Sequence, residues 1–179
     1  MATREDVSIV QATQKDIDLL SRLIRDGFAD VANRFGLTPQ NCPKHPSNYT
    51  HEWVEKDLER GLRYFILIAD GTAVGCVGVE RATETTCYLE RLAVLPQLRG
   101  IGYGSQLTQY ALTQAEAMGA TEVGIGIIAA DSGLKAFYQS LGFEAGPTKR
   151  FAHLPFDVAF MRIFFDHGMI SGGSLSARD

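Results

Sequence analysis

Cysteine is scarce in this chain, and its spacing excludes two architectures. Cys42, Cys76 and Cys87 are odd in number, lie far apart and form no Cys-x-x-Cys pair. Neither a disulfide framework nor a zinc knuckle is expected, and the thiols read as reduced. Positive charge is not in excess either. The 17 Lys and Arg stand against 21 Asp and Glu, for a net charge of -4, which offers no basic surface to nucleic acid. No apolar run approaches a membrane span, and the opening Met1-Ala2-Thr3-Arg4-Glu5-Asp6 contains no signal core. The expectation is a soluble cytoplasmic protein with neither nucleic-acid nor membrane partners. What the chain has is ordinary globular material: 179 residues, 45% apolar and 21% charged, enough for one domain with its own core. That domain is expected over residues 1–166, with the Gly/Ser-rich 167–179 as a flexible tail.

Proline is also rare, and half of the six prolines fall in one stretch, residues 35–48, which must be a turn series or a loop. Around it the periodicities are clear. Weak alternation over 7–12 predicts a strand. Thr13, with Asp16 three residues on, predicts a capped helix start. Ile17, Leu20, Leu23, Ile24 and Phe28 then follow at helical spacing, to about Asn33. A second helix is predicted over 50–60, stopped by Gly61. Strands over 63–69 and 72–81 flank Asp70-Gly71, a strong hairpin turn, and a third follows over 86–94. Leu107, Tyr110, Ala111, Ala115 and Met118 mark a helix from Ser105 to Gly119. A buried strand is expected over 123–128, where Gly124 and Gly126 leave room for something to approach the backbone. A short helix over 132–140 and strands from Phe143 and over 158–165 complete the chain. The order is β-α-α-β-β-β-α-β-α-β-β: a single-domain α/β fold with a mixed α+β sheet, antiparallel first and then joined by helical crossovers.

The chemistry is concentrated where the third strand of the meander gives way to the long helix. Leu92-Ala93-Val94-Leu95-Pro96 is followed by Arg99-Gly100-Ile101-Gly102-Tyr103-Gly104. Alternating glycines before a helix let backbone N–H groups converge on one point, a geometry that binds phosphate. A nucleotide P-loop is excluded because Ser105-Gln106 follows Gly104 in place of a Lys-Ser/Thr pair. A dinucleotide fingerprint is excluded because its last glycine position is Leu107.

Arg99-x-x-Gly102-x-Gly104, with the strand before it, resembles the hallmark of the GNAT superfamily of N-acetyltransferases. Asp131-Ser132-Gly133-Leu134-Lys135-Ala136-Phe137-Tyr138-Gln139-Ser140-Leu141-Gly142-Phe143 resembles that family's second signature, in the family's order. The likeness covers about residues 63–163; the N-terminal third is similar only in its order of elements. It implies acetyl-CoA as co-substrate, no metal, splayed central strands, and transfer of acetyl to a primary amine of a small molecule or peptide by direct attack in a ternary complex. Gln97, Arg99, Gly100, Ile101, Gly102, Tyr103, Gly104 and Ser105 would meet the diphosphate of acetyl-CoA. Leu92, Ala93 and Val94 would pair with the pantetheine arm, one amide there polarising the thioester carbonyl. Asp131, replacing the more usual Asn, and Lys135 would complete the donor contacts. Tyr138 matches the tyrosine that protonates the leaving thiolate; the alternative is an aromatic packed beside Phe137.

The acceptor side is thinner. Glu90 shares strand parity with Leu92 and Val94, which would aim it into the cleft as a general base; the alternative is a rim carboxylate paired with Arg91. Cys42-x-x-His45-x5-His51 lacks a convincing fourth metal ligand. His45 and His51 are read instead as part of a loop contacting the acceptor, His153 as a weaker counterpart near the other acceptor-side loop, and surface histidine as the alternative for each. Cys87 reads as a core residue. The apolar strand over 160–165 serves either packing or a homodimer, so monomer and homodimer both stand. The rival to an enzyme is a non-catalytic acyl-CoA sensor or partner-binding module on the same scaffold.

Overall fold

The computed structural model describes residues 5–166; the predicted tail at 167–179 lies outside them. The elements are β1 (Val7–Gln11), α1 (Ile17–Phe35), α2 (His51–Glu59), β2 (Arg63–Ala69), β3 (Thr72–Arg81), β4 (Thr86–Val94), α3 (Tyr103–Ala117), β5 (Glu122–Ile128), α4 (Ser132–Ser140), β6 (Glu144–Arg150) and β7 (Asp157–Phe164). This is the order expected from the sequence. Short 3-10 turns, not separately predicted, precede α1, α2 and α3 at Gln14–Asp16, Pro46–Asn48 and Pro96–Leu98.

Local chemistry accounts for most boundaries. Thr13 and Asp16 form a reciprocal capping box, and Gly36, at φ 61°, closes α1 in the left-handed conformation. Thr50 caps α2 through the Trp53 N–H. Asp70 and Gly71 both have positive φ, 47° and 77°, as the tight hairpin between β2 and β3 requires.

The seven strands form one sheet, ordered β1-β2-β3-β4-β5-β7-β6. All neighbours are antiparallel except β4 and β5, which the α3 crossover makes parallel. That one parallel contact is short. Thr86, Cys87 and Tyr88 pair with Glu122, Val123 and Gly124, and beyond them the two central strands part.

Helices cover both faces, so the central strands are buried on both sides. Phe65 and Leu67 of β2 point into a core with Leu107 and Ala111 of α3, Val123 of β5 and Tyr138 of α4. Tyr64 and Ile66 point the other way, into a core with Leu20 and Ile24 of α1 and Val54 of α2. Cys87 lies in the first core and Cys76 in the second; both thiols are free, and burial pushes the Cys76 thiol up to about 12.

α1 comes close to β4 because residue 27 is glycine. A Cβ there would stand 2.7 Å from the Ala93 Cβ. Gly27→Ala is expected to destabilise the fold by about 1–3 kcal/mol through overpacking, measured as a lower urea midpoint; an unchanged midpoint would show that α1 shifts freely.

The space predicted above Gly124 and Gly126 is filled by the protein's own side chains. A Cβ on Gly124 would lie 2.9 Å from the Tyr88 ring, and one on Gly126 would lie 3.2 Å from Val158. In β7, Ala159 and Met161 are buried in the first core while Phe164 is 55% exposed. Among the described residues no helix is long and apolar enough to cross a membrane.

Candidate active site

At the end of β4, the Leu95 N–H bonds the Val74 carbonyl at 3.0 Å, and the chain turns through Pro96–Leu98 into the glycine loop. Gly100 and Gly102 have φ of 80° and 100°, where side chains with a Cβ are strained. Gly102 is itself the N-cap of α3, which therefore starts at Tyr103, two residues before the predicted Ser105. No side chain among the described residues caps this helix. Among the described residues, the amides from Gly100 to Ser105 donate to no backbone carbonyl. A row of free N–H groups at the positive end of a helix is an anion cradle.

The side chains of the loop are spent elsewhere. Arg99 is exposed but tied down: its Nε donates to the Val94 carbonyl at 3.1 Å, Nη1 to Asp30 Oδ2 at 2.6 Å, and Nη2 to the Gly27 carbonyl. It bolts the loop to α1. Burial alone would raise the Asp30 pKa, but the bond and charge of Arg99, with Arg34, outweigh it and hold the carboxyl below its ordinary value. Tyr103 is buried, with its hydroxyl bonded to Glu5, so its backbone alone faces the cradle. A Cβ on Gly104 would touch the Phe137 ring at 3.4 Å; the glycine brings α3 against α4. Gln97 is exposed, and Ile101 is 60% exposed.

Beyond the cradle is the slot between β4 and β5, and here the parity expected of Glu90 fails. Cys76 pairs with Ala93 but Gly78 pairs with Glu90, so β4 carries one extra residue, with Arg91 at φ 53°. The bulge resets the alternation. Leu89, Leu92 and Val94 pack on the α3 side and Ala93 on the α1 side; Glu90 belongs to the α1 side, opposite Leu92. Its carboxylate forms an ion pair with Arg91, the alternative weighed from sequence. Arg91 in turn donates from Nε to the Tyr49 hydroxyl at 2.9 Å and stacks over that ring at 5.0 Å. Tyr49 donates to Asp57. Asp57 also accepts from the Tyr64 hydroxyl at 2.7 Å, and from Arg60 Nε and Nη2 at 3.1 and 3.0 Å.

On the opposite side, Tyr138 of α4 is 5% exposed, set edge-on between Phe137 at 5.1 Å and Phe143 at 5.3 Å. Burial pushes its phenol well above the ordinary value. Asp131 is buried with both oxygens engaged: Oδ1 caps α4 at the Leu134 N–H (3.1 Å), and Oδ2 pairs with Arg34 Nη2 (3.2 Å). Lys135 is half-buried in the first turn of α4.

The three candidate histidines, His45, His51 and His153, have separate partners. His45 is buried, edge-on to Phe28, and its Nδ1 accepts from the Ser47 N–H at 3.2 Å, with its pKa lowered by burial. It shapes the Pro-rich loop. His51 is exposed and pairs with Asp18 at 3.2 Å; His153 is exposed beside the Phe151 ring. Among the described residues no three His, Cys, Asp or Glu side chains gather as metal ligands. The Pro-rich loop does approach the β6–β7 connection, for Leu37 and Cys42 cluster with Ile128, Leu154 and Phe156. Asp30, Arg34, Tyr49 and Asp57 carried no motif; the first three act through partners 42 to 97 residues away in sequence, and Asp57 joins them through Tyr49.

Known proteins resemble this chain in sequence and in fold. Escherichia coli (strain K12) has an uncharacterized N-acetyltransferase, YjgM, that is 27% identical over 135 residues, covering 74% of this chain and 78% of that protein. The crystal structure of PaiA N-acetyltransferase from Thermoplasma acidophilum, in complex with coenzyme A, superposes with a TM-score of 0.75 at 17% identity, over 89% of this chain and 99% of that one. The ribosomal-protein-S18-alanine N-acetyltransferase of Escherichia coli gives a TM-score of 0.70 at 16% identity, over 96% and 100%. At such identities the two structures speak for the fold alone. The model of the Acetyltransferase (GNAT) family matches residues 29–143, which span the cradle, the slot and Tyr138, and the chain belongs to that family.

Proposed function

We propose that the protein is an acetyl-CoA-dependent N-acetyltransferase that passes the acetyl group to a primary amine of a small molecule or peptide by direct attack in a ternary complex. One observation carries the reading: the row of free amides from Gly100 to Ser105 stands beside the slot that opens where β4 and β5 part. A diphosphate at the cradle, with an extended arm along the β4 edge, fits both features. The coenzyme A complex of the PaiA enzyme and the acetyltransferase names of the relatives support it.

The amine is taken to reach the slot from the α1/α2 side, because the partly buried Glu90 and Arg91 side chains of β4 lie on that side. The amine nitrogen forms a bond to the thioester carbon as the carbon–sulfur bond breaks. An amide within Leu92–Val94 receives the developing oxyanion, the ammonium proton leaves through water to Glu90 or to solvent, and Tyr138 gives its proton to the thiolate and takes one back from solvent before the next turnover. Its high proton affinity does not disqualify Tyr138, because the desolvation that raises the phenol raises a thiolate in the same slot as well.

Calorimetry with acetyl-CoA is expected to show saturable binding, and a thiol assay to show coenzyme A release with at least one member of a panel of polyamines, amino acids and peptides. No binding at millimolar acetyl-CoA would overturn the donor assignment. Binding without release across the panel would replace the enzyme with the acyl-CoA sensor.

A further inference from the structure

We infer that Asp30 is a positioning residue for the donor cradle, holding the glycine loop through Arg99 and the N-cap of α4 through Arg34, so that both sides of the donor slot are keyed to one carboxylate on α1. The inference rests on the acetyl-CoA reading. Asp30 Oδ2 lies 2.6 Å from Arg99 Nη1 and 4.0 Å from Arg34 Nε. Arg34 Nη2 lies 3.2 Å from Asp131 Oδ2, whose other oxygen caps α4. The chain Arg99–Asp30–Arg34–Asp131 thus runs from the start of α3 to the start of α4 by way of the helix that covers the opposite face.

Two details say that this is geometry rather than incidental surface pairing. Arg99 also donates from Nε and Nη2 to the Val94 and Gly27 carbonyls, so each nitrogen of its guanidinium helps to seat the loop, and the diphosphate meets amide dipoles in its place. Among the described residues, Asp30 Oδ1 is buried without a partner, which costs free energy; the two arginines on the other oxygen hold the carboxylate there.

The competing expectation is that freeing Arg99 would add a cation to the cradle and tighten binding. Coenzyme A titrated into the wild type, Asp30→Asn, Asp30→Glu and Arg34→Gln separates the two. Asp30→Asn is expected to weaken coenzyme A by about tenfold. It should leave kcat at saturating acetyl-CoA within about twofold, a split that places the effect in binding. Asp30→Glu should recover most of the affinity, and Arg34→Gln should lose part of it. Without ligand, the amides of Leu98, Arg99 and Gln106, whose acceptors are the loop carbonyls of Leu95, Pro96 and Gly102, should exchange hydrogen faster in Asp30→Asn. Equal or tighter coenzyme A binding by Asp30→Asn, or unchanged exchange at these amides, overturns the inference. Failure of the wild type to bind coenzyme A would instead overturn the donor reading, and the exchange comparison would still decide whether Asp30 holds the loop.

Discussion

Tyr138→Phe is expected to lower turnover by about a hundredfold or more while the dissociation constant of coenzyme A stays within about twofold. The substitution removes one oxygen and leaves the ring. The edge-on contacts with Phe137 and Phe143 are contacts of the ring, so the packing of α4 against the sheet should survive. With the ring retained and the fold intact, a fall in rate must come from the proton that the hydroxyl supplies. The thiolate would otherwise leave unprotonated, and that charge development belongs to the transition state alone. The comparison is therefore of kcat at saturating acetyl-CoA and amine, with melting temperatures alongside. Turnover within about threefold of wild type would make Tyr138 a packing aromatic, the alternative already present in the sequence, and would move the proton donor to water.

The parts of this molecule legible in sequence were those fixed by neighbours in sequence. The Asp70-Gly71 turn, the Thr13–Asp16 box and the left-handed glycines of the loop each carry their reason within a few residues, and the strands and helices between them fell where periodicity placed them. The amide row at the start of α3, proposed above to hold the donor, was legible for the same cause, since backbone amides need only the right glycines. The acceptor side was not. The bulge at Arg91 exists because β4 carries one residue more than β3 between two pairs, a mismatch of register that alternation within β4 does not reveal. It turned Glu90 to the face opposite Leu92 while its residue type stayed that of a plausible base. Arg99 was expected to meet the diphosphate because it stands in the motif; nothing local showed that its side chain binds Asp30 and Gly27 on α1, 69 and 72 residues away. Asp131 was expected on the donor; that its carboxylate also binds Arg34, 97 residues distant, no local pattern showed. Gly124 and Gly126 were read correctly as sites of close approach, but what approaches is Tyr88 and the side chains of β7, which only the folded sheet brings there.

Asp57→Ala is expected to remove about 3–5 kcal/mol of stability, the largest structural loss foreseen for a single side chain outside the hydrophobic cores. Asp57 is 5% exposed, and the tyrosines that donate to it, Tyr49 and Tyr64, are 3% and 0% exposed. Burial pushes both phenols upward, so they remain donors that need an acceptor. Alanine would leave the Tyr64 hydroxyl without its carboxylate. The Tyr49 hydroxyl would keep only Arg91, which donates to it and so cannot replace an acceptor. Arg60 has less to lose, since it is partly exposed and retains Glu80. Asp57→Asn should recover part of the loss, because its carbonyl accepts one hydroxyl while its amide opposes the other donors. Urea unfolding with an unchanged m-value would measure both variants; a loss below about 1 kcal/mol for alanine would mean that water takes the place of the carboxylate. The consequence reaches the slot through Tyr49. Arg91, held in the left-handed region at the bulge, is fixed by its stacking and bond to that ring, and it in turn holds Glu90. Tyr49→Phe keeps the ring and deletes only the hydroxyl, so it should cost less stability than Asp57→Ala. If the rim carboxylate serves the amine, Tyr49→Phe should raise KM for the amine with the affinity for coenzyme A unchanged, because nothing in the Arg99–Asp30–Arg34–Asp131 chain touches it.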